Sequence, residues 1–146
     1  MKLPRVLILC TGNSCRSQLA EALWRHESGG QWQVVSAGTA PKGVHPLTLR
    51  VLQEIGVSPD GLHSKHVKDI DLSALDLVVT VCDKARESCP LLPGSPRTLH
   101  WPFDDPAAAT GSEEQILAVF RRVRDQIHER IRRFLAEEGS DYSRGK

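Results

Sequence analysis

The sequence predicts an α/β domain built on a four-stranded parallel sheet with helices on both faces. Two observations predict it. Strand-length apolar runs alternate with helix-length amphipathic segments in the order β-α-β-α-β-α-β-α, so each pair of successive strands is joined through a helix, the connection that parallel strands need. The run at 75–81, LDLVVTV, is apolar and β-branched along almost its whole length, as expected of a strand buried on both faces.

Each element has its own signal. Residues 6–9 form a first strand that stops at Cys10. A helix over 17–26 places Leu19, Ala22, Leu23 and His26 on one face and ends at Gly29-Gly30. Residues 32–37, WQVVSA, read as a second strand closed by Gly38. Pro46 and Gly56 bracket a second helix carrying Leu47, Val51 and Ile55. The polar stretch 57–71, with His63, Lys65, His66 and Lys68, reads as a solvated connection containing a helical turn. After the strand at 75–81, which delivers Cys82, residues 83–93 are weakly helical and stop at Pro90 and Pro93. Residues 97–101 form a fourth strand, followed by the run PFDDP at 102–106.

The last helix is the clearest. Ser112 and Gln115 make a capping box, and Ile116, Phe120, Val123, Ile127, Ile131 and Phe134 form its apolar stripe. Arg121, Arg122, Arg124, Arg130, Arg132 and Arg133 fall largely off that stripe and are interleaved with Asp125 and Glu129. That mixture describes a solvated face rather than a nucleic-acid surface. Residues 1–136 are read as a single catalytic domain and 137–146 as a polar, mobile tail.

Composition narrows the function class. The chain has 146 residues, 40% hydrophobic and 25% charged, with a formal net charge of +1, which describes a globular domain and no general nucleic-acid binder. No apolar stretch reaches membrane-spanning length, and the start MKLPRVLIL is too short for a signal peptide. A cytoplasmic, monomeric enzyme is expected. The four cysteines, at 10, 15, 82 and 89, are poor candidates for static disulfides in that compartment. Their spacing also misses the paired pattern of zinc sites, so no metal is expected and catalytic or redox thiols remain.

The stretch 6–17, VLILCTGNSCRS, carries the chemistry. A strand that runs into a short Gly/Asn/Ser loop and then a helix turns successive N–H groups inward and adds the positive end of the helix, forming a cradle for an anion. Thr11, Gly12, Asn13, Ser14, Cys15 and Arg16 are the predicted cradle. A cysteine at its start, Cys10, should have a lowered thiol pKa and act as a nucleophile. Arg16 offers a fork of donors suited to a tetrahedral oxyanion. The alternative is a buried structural cysteine beside a surface arginine. In parallel sheets ligands bind beyond the carboxyl ends of the strands, where strand order reverses. If their strands are neighbours, Cys10, Cys82 and Asp105 therefore rise from one end.

The Cys10-x5-Arg16-Ser17 motif, the Asp105-Pro106 pair and the Cys82/Cys89 pair together resemble the thioredoxin-coupled arsenate reductases, which share the low-molecular-weight protein tyrosine phosphatase fold. The likeness runs from Val6 to about Phe134. It implies that Cys10 is the nucleophile, Arg16 the oxyanion clamp and Ser17 the hydroxyl that bonds the thiolate. It further implies that Asp105, rather than Asp104, is the general acid and that Cys82 and Cys89 are the redox pair. The implied substrate is arsenate, the electron donor thioredoxin, and no cofactor is needed. A Cys10–Cys82 disulfide would form first and pass to Cys82–Cys89. Some relatives hold a potassium ion with residues matching Asn13, Glu21, Ser36 and a carboxylate at position 65. Here position 65 is Lys65, whose ammonium can stand in for the ion, so no potassium dependence is expected.

A phosphatase of the same fold is the alternative enzyme, and a redox- or oxyanion-sensing module the alternative outside catalysis. The tyrosine that usually follows the Asp-Pro pair in those phosphatases is replaced by Ala107, which points to a small inorganic oxyanion. If 82–89 is helical when reduced, its end Cα atoms lie roughly 10 Å apart at ~1.5 Å per residue. A disulfide needs about 7 Å or less, so that segment must rearrange on oxidation.

Overall fold

In the computed structural model, which describes residues 3–83 and 96–142, β1 (Arg5–Cys10) is an inner strand whose Val6, Leu7, Ile8 and Leu9 are completely buried. Burial of consecutive residues means that both faces of this strand are covered. The remaining elements are α1 (Arg16–Ser28), β2 (Gln33–Gly38), α2 (Pro46–Glu54), β3 (Leu77–Thr80), β4 (Arg97–His100) and α3 (Glu113–Glu137). The four strands are parallel and lie in the order β2-β1-β3-β4. From β1 the chain goes out to β2 and then crosses back to β3, so strand order reverses between β1 and β3.

Register then decides what meets at that crevice. Leu9 pairs with Thr80, and Val81 N–H donates to Leu9 O at 2.9 Å just beyond. Cys10 and Cys82 therefore leave the sheet side by side. On the other flank Cys10 pairs with Gly38.

The helices follow the expected order with differences at their faces. α1 runs on to Ser28, and Trp24, rather than the exposed His26, joins Leu19, Ala22 and Leu23 in the core. Trp24 meets Trp32, Trp101 and Phe134 at ring distances of 5.3, 5.9 and 5.4 Å, a larger apolar contact than an imidazole offers. In α2 the buried residues are Thr48, Val51 and Leu52, whereas Ile55 is the C-cap and is exposed. Of the 47/51/55 repeat, Val51 is fully buried and Leu47 packs against the core in part, while Ile55 falls outside.

α3 begins with the expected capping box of Ser112 and Gln115. Leu117 joins its buried stripe while Ile116 is only partly covered. Arg124, placed among the solvated arginines by its spacing, is buried between α2 and α3. Its guanidinium is satisfied there by Val51 O at 2.9 Å, Glu54 Oε1 at 3.1 Å and Asp125 Oδ1 at 2.9 Å. After α3 the chain makes a 3₁₀ turn, Gly139–Tyr142, and the Tyr142 ring lies 5.2 Å from Trp32. The helical turn expected in 57–71 is a 3₁₀ turn at Val67–Asp69. The weak helix expected over 83–93 lies almost wholly outside the described residues.

Candidate active site

The loop between β1 and α1 is held by its own buried polar side chains. Asn13 is fully buried with φ +45°, a left-handed conformation that asparagine tolerates better than most residues. Its Nδ2 donates to Ser17 Oγ at 2.8 Å and to Ser36 Oγ at 2.9 Å, and its Oδ1 accepts from Lys65 N–H at 2.9 Å. One side chain thus ties the loop to α1, β2 and the 57–71 connection.

The loop carbonyls are all engaged away from the cleft. Thr11 O accepts from Ala40 N–H, Gly12 O from Lys42 N–H, Ser14 O from His45 N–H and Cys15 O from Leu19 N–H. Asn13 O accepts from Gln18 Nε2 at 3.0 Å. With the acceptors turned outward and satisfied, the loop can present donors to a ligand, which is the requirement of an anion cradle.

One glycine makes this arrangement possible. A Cβ on Gly38 would sit 2.5 Å from Thr11 O and 3.0 Å from Asn13 N, so β2 approaches the loop only where it lacks a side chain. Gly12 is packed by the Lys42 side chain, with Cδ 3.4 Å from where its Cβ would be.

Cys10 is 4% exposed and Cys82 6% exposed, and both line a cleft of about 540 Å³ together with Gly12, Arg16, Asp105 and residues 42–46. Thr11 Oγ1 lies 3.4 Å from Cys82 Sγ. The Cys10 thiol is pushed up from its ordinary value, first by the hydrogen bond with Cys82 and then by burial. Arg16 and the Gly12 N–H pull the other way. The loop by itself was expected to lower this thiol. The neighbouring Cys82 reverses the balance, because a second buried sulfur shares its proton and repels a second negative charge. Cys15 is buried and its thiol is also raised, chiefly by burial.

Arg16 NH1 donates to Phe103 O at 3.1 Å and its NH2 lies 3.7 Å from Asp105 Oδ2. Its buried Nε has no hydrogen-bond partner among the described residues, leaving a donor available in the site. Asp105 caps the short turn Pro106–Ala108 by accepting from Ala107 N–H at 3.0 Å. Asp104, by contrast, is 79% exposed and pairs with Arg122 at 3.4 Å, along a different groove. Adjacent in sequence, the two carboxylates face different surroundings, and only Asp105 faces Cys10.

Beneath the loop, Glu21 is 1% exposed and joined to three partners. Ser36 Oγ donates to its Oε1 at 2.7 Å, Lys65 Nζ lies 3.5 Å from the same oxygen, and Arg25 NH2 lies 2.6 Å from Oε2. Lys65 therefore sits where the sequence comparison with potassium-holding relatives placed a carboxylate. No group of three or more His, Cys, Asp or Glu side chains suited to a metal occurs among the described residues.

The structure thus brings together Cys10, Thr11, Gly12, Asn13, Ser14, Cys15, Arg16, Ser17, Cys82 and Asp105, while Cys89 lies outside the described residues. Sequence reasoning missed Gly38, Lys42 and His45. Only Gly38 left a signal, as the glycine closing β2. Lys42 and His45 sit in the 39–45 connection, which has no periodic pattern to place it against the loop.

The family model for low molecular weight phosphotyrosine protein phosphatase matches residues 5–143. An arsenate reductase of Halalkalibacterium halodurans is 46% identical over 134 residues, covering 92% of this chain and 96% of that protein. The arsenate reductase of Bacillus subtilis is 42% identical over 134 residues, covering 92% of this chain and 96% of its own. Among solved structures, a thioredoxin-dependent arsenate reductase from Corynebacterium glutamicum superposes with a TM-score of 0.75 at 30% identity, covering 95% of this chain and 63% of that one. Sequence, fold and loop agree, and the chain belongs to the low molecular weight phosphotyrosine protein phosphatase family.

Proposed function

We propose that this protein reduces arsenate to arsenite, with electrons delivered by thioredoxin. The observation that carries the reading is the pairing of two buried thiols, Cys10 and Cys82, at the sheet's switch point and in one cleft. A phosphatase needs the first of these thiols and has no use for the second.

Arsenate occupies the loop donors and Arg16. Cys10 thiolate, accepting a hydrogen bond from Ser17, attacks arsenic, and Asp105 protonates the departing oxygen so that water leaves. Cys82 thiolate then attacks Cys10 Sγ. The S–S bond forms as the S–As bond breaks, its electron pair stays on arsenic, and arsenite leaves as the two-electron-reduced product. Cys89 attacks Cys82 Sγ, releasing Cys10 thiolate and moving the disulfide to Cys82–Cys89 for thioredoxin to reduce.

The protein works as a monomer in the cytoplasm, a compartment in keeping with its reducing cycle; no helix among the described residues is long and apolar enough to cross a membrane. Weak phosphatase activity accompanies the reductase, since phosphate has the same shape as arsenate.

The test is NADPH consumption in the presence of thioredoxin and thioredoxin reductase, with and without arsenate. Arsenate-dependent consumption is expected, and Cys89→Ser should stop it after one turnover. Consumption that does not depend on arsenate would overturn the reductase in favour of a phosphatase, and arsenate-dependent cycling by Cys89→Ser would overturn the role of Cys89 in the disulfide relay.

A further inference from the structure

The charge at the mouth of the cleft is not fully described by the loop. Arg16 already spends one donor on Phe103 O and stands beside the Asp105 carboxylate. A second cation lines the same cleft. Lys42 is anchored to the loop by its own backbone, donating N–H to Gly12 O at 2.9 Å. Its stem lies along Gly12, with Cδ and Cγ 3.4 and 3.6 Å from where a Cβ would be. The backbone bond and the approach of the stem both fall on a residue of the anion cradle, so the backbone and stem of the lysine are carried with the loop. Among the described residues it is paired with no carboxylate.

We propose that Lys42 is a specificity-determining residue, an ammonium held at the rim of the cradle that captures tetrahedral oxyanions in their doubly charged form. The inference rests on the oxyanion reading of the cleft and adds to it a residue outside the Cys10–Ser17 motif. An uncompensated cation beside a concave, low-dielectric site raises the local concentration of anions and speeds their entry.

The closing experiment uses the full-length reduced protein and inorganic phosphate as probe. Cys10 is alkylated with iodoacetamide, followed by peptide mass mapping, over a range of phosphate concentrations and at two ionic strengths. In Lys42→Gln the phosphate concentration giving half protection should rise about tenfold, with a shallower salt dependence, and Lys42→Arg should restore most of the loss. In turnover with arsenate the change should fall on KM, with kcat moved far less. Equal half-protection in wild type and Lys42→Gln would overturn the role of Lys42 while leaving the cradle intact. Failure of phosphate to protect wild-type Cys10 at all would overturn the oxyanion reading and this inference with it.

Discussion

Thr11 Oγ1 and Cys82 Sγ lie 3.4 Å apart, joining the first residue of the anion loop to a residue 71 positions later in the chain. The contact exists because β1 and β3 are adjacent and parallel, with Leu9 opposite Thr80. Two thiols at the ends of neighbouring strands then share one buried environment, and Cys82 sets the ionisation of Cys10.

That coupling is testable through Cys82→Ser. The Cys10 thiol is raised above its ordinary value of 9.0 first by Cys82 and then by burial, so removing the sulfur should lower it. Each pKa unit recovered gives about tenfold more thiolate at neutral pH, and Cys10 should be alkylated correspondingly faster at pH 7.5. An unchanged or slower rate would contradict the coupling. The same shift gives a stability slope. Below pH 9 both folded and unfolded chains keep the proton, and above it only the folded chain does. The wild-type protein should therefore lose stability relative to Cys10→Ser as pH rises from 9, by at most about 1.4 kcal/mol per pH unit.

Lys65 is expected to make the enzyme indifferent to potassium. Its ammonium neutralises Glu21 from 3.5 Å inside the cluster that orients Asn13 and Ser36. Burial lowers the Lys65 pKa, and Glu21 draws it back up. Turnover in sodium and potassium at equal ionic strength should agree, and strong selective activation by potassium would refute the substitution of ion by ammonium. Lys65→Met should cost about 1–3 kcal/mol in urea denaturation at pH 7, less than a fully broken buried pair because Arg25 still holds Glu21.

Gly38→Ala probes a site residue that no motif marks. The new methyl would meet Thr11 O at 2.5 Å, and backbone on both sides leaves it little room to relax. Turnover should fall about tenfold or more, with a stability loss of about 1–3 kcal/mol. Half-protection of Cys10 by phosphate should worsen in parallel. A fully active variant would mean that the loop tolerates displacement.

Asp105→Asn and Asp104→Asn separate the two carboxylates. Asp105 stands 3.7 Å from Arg16 and lines the Cys10 cleft, whereas Asp104 pairs with Arg122 outside it. Rapid-quench measurement of arsenite formed in the first turnover should show a loss of about 10²–10⁴-fold for Asp105→Asn. Asp104→Asn should change it less than about twofold, as expected for a surface pair. The reverse order would exchange their roles.

The legible parts of the fold were those with local causes. The strands at 5–10 and 77–80 showed as apolar runs, and α3 showed through its capping box and its stripe. The loop was legible because Cys10, Gly12, Asn13 and Arg16 act within a few residues of one another. His26 and Ile55 were placed inside by spacing and lie outside, while Arg124 was placed outside and lies inside. Packing decided each case: Trp24, against Phe134 of α3, fills the core where His26 was expected, Ile55 falls past the last turn of α2, and α2 supplies acceptors for Arg124. Periodicity finds the apolar face of a helix to within one residue column. It cannot say what packs there.

By itself the sequence determined a strand-loop-helix turn that opens on a cysteine and has the form of an anion cradle, because backbone N–H direction and helix polarity are properties of a few consecutive residues. Tertiary structure decided which distant groups complete it. Sheet order placed Cys82 beside Cys10, the turn capped by Asp105 brought one of two adjacent carboxylates to the cleft, and the close approach of β2 made Gly38 part of the site. It also decided the ionisation of Cys10. A loop that favours a thiolate is opposed by a second buried sulfur, and that opposition exists only once β1 and β3 lie side by side.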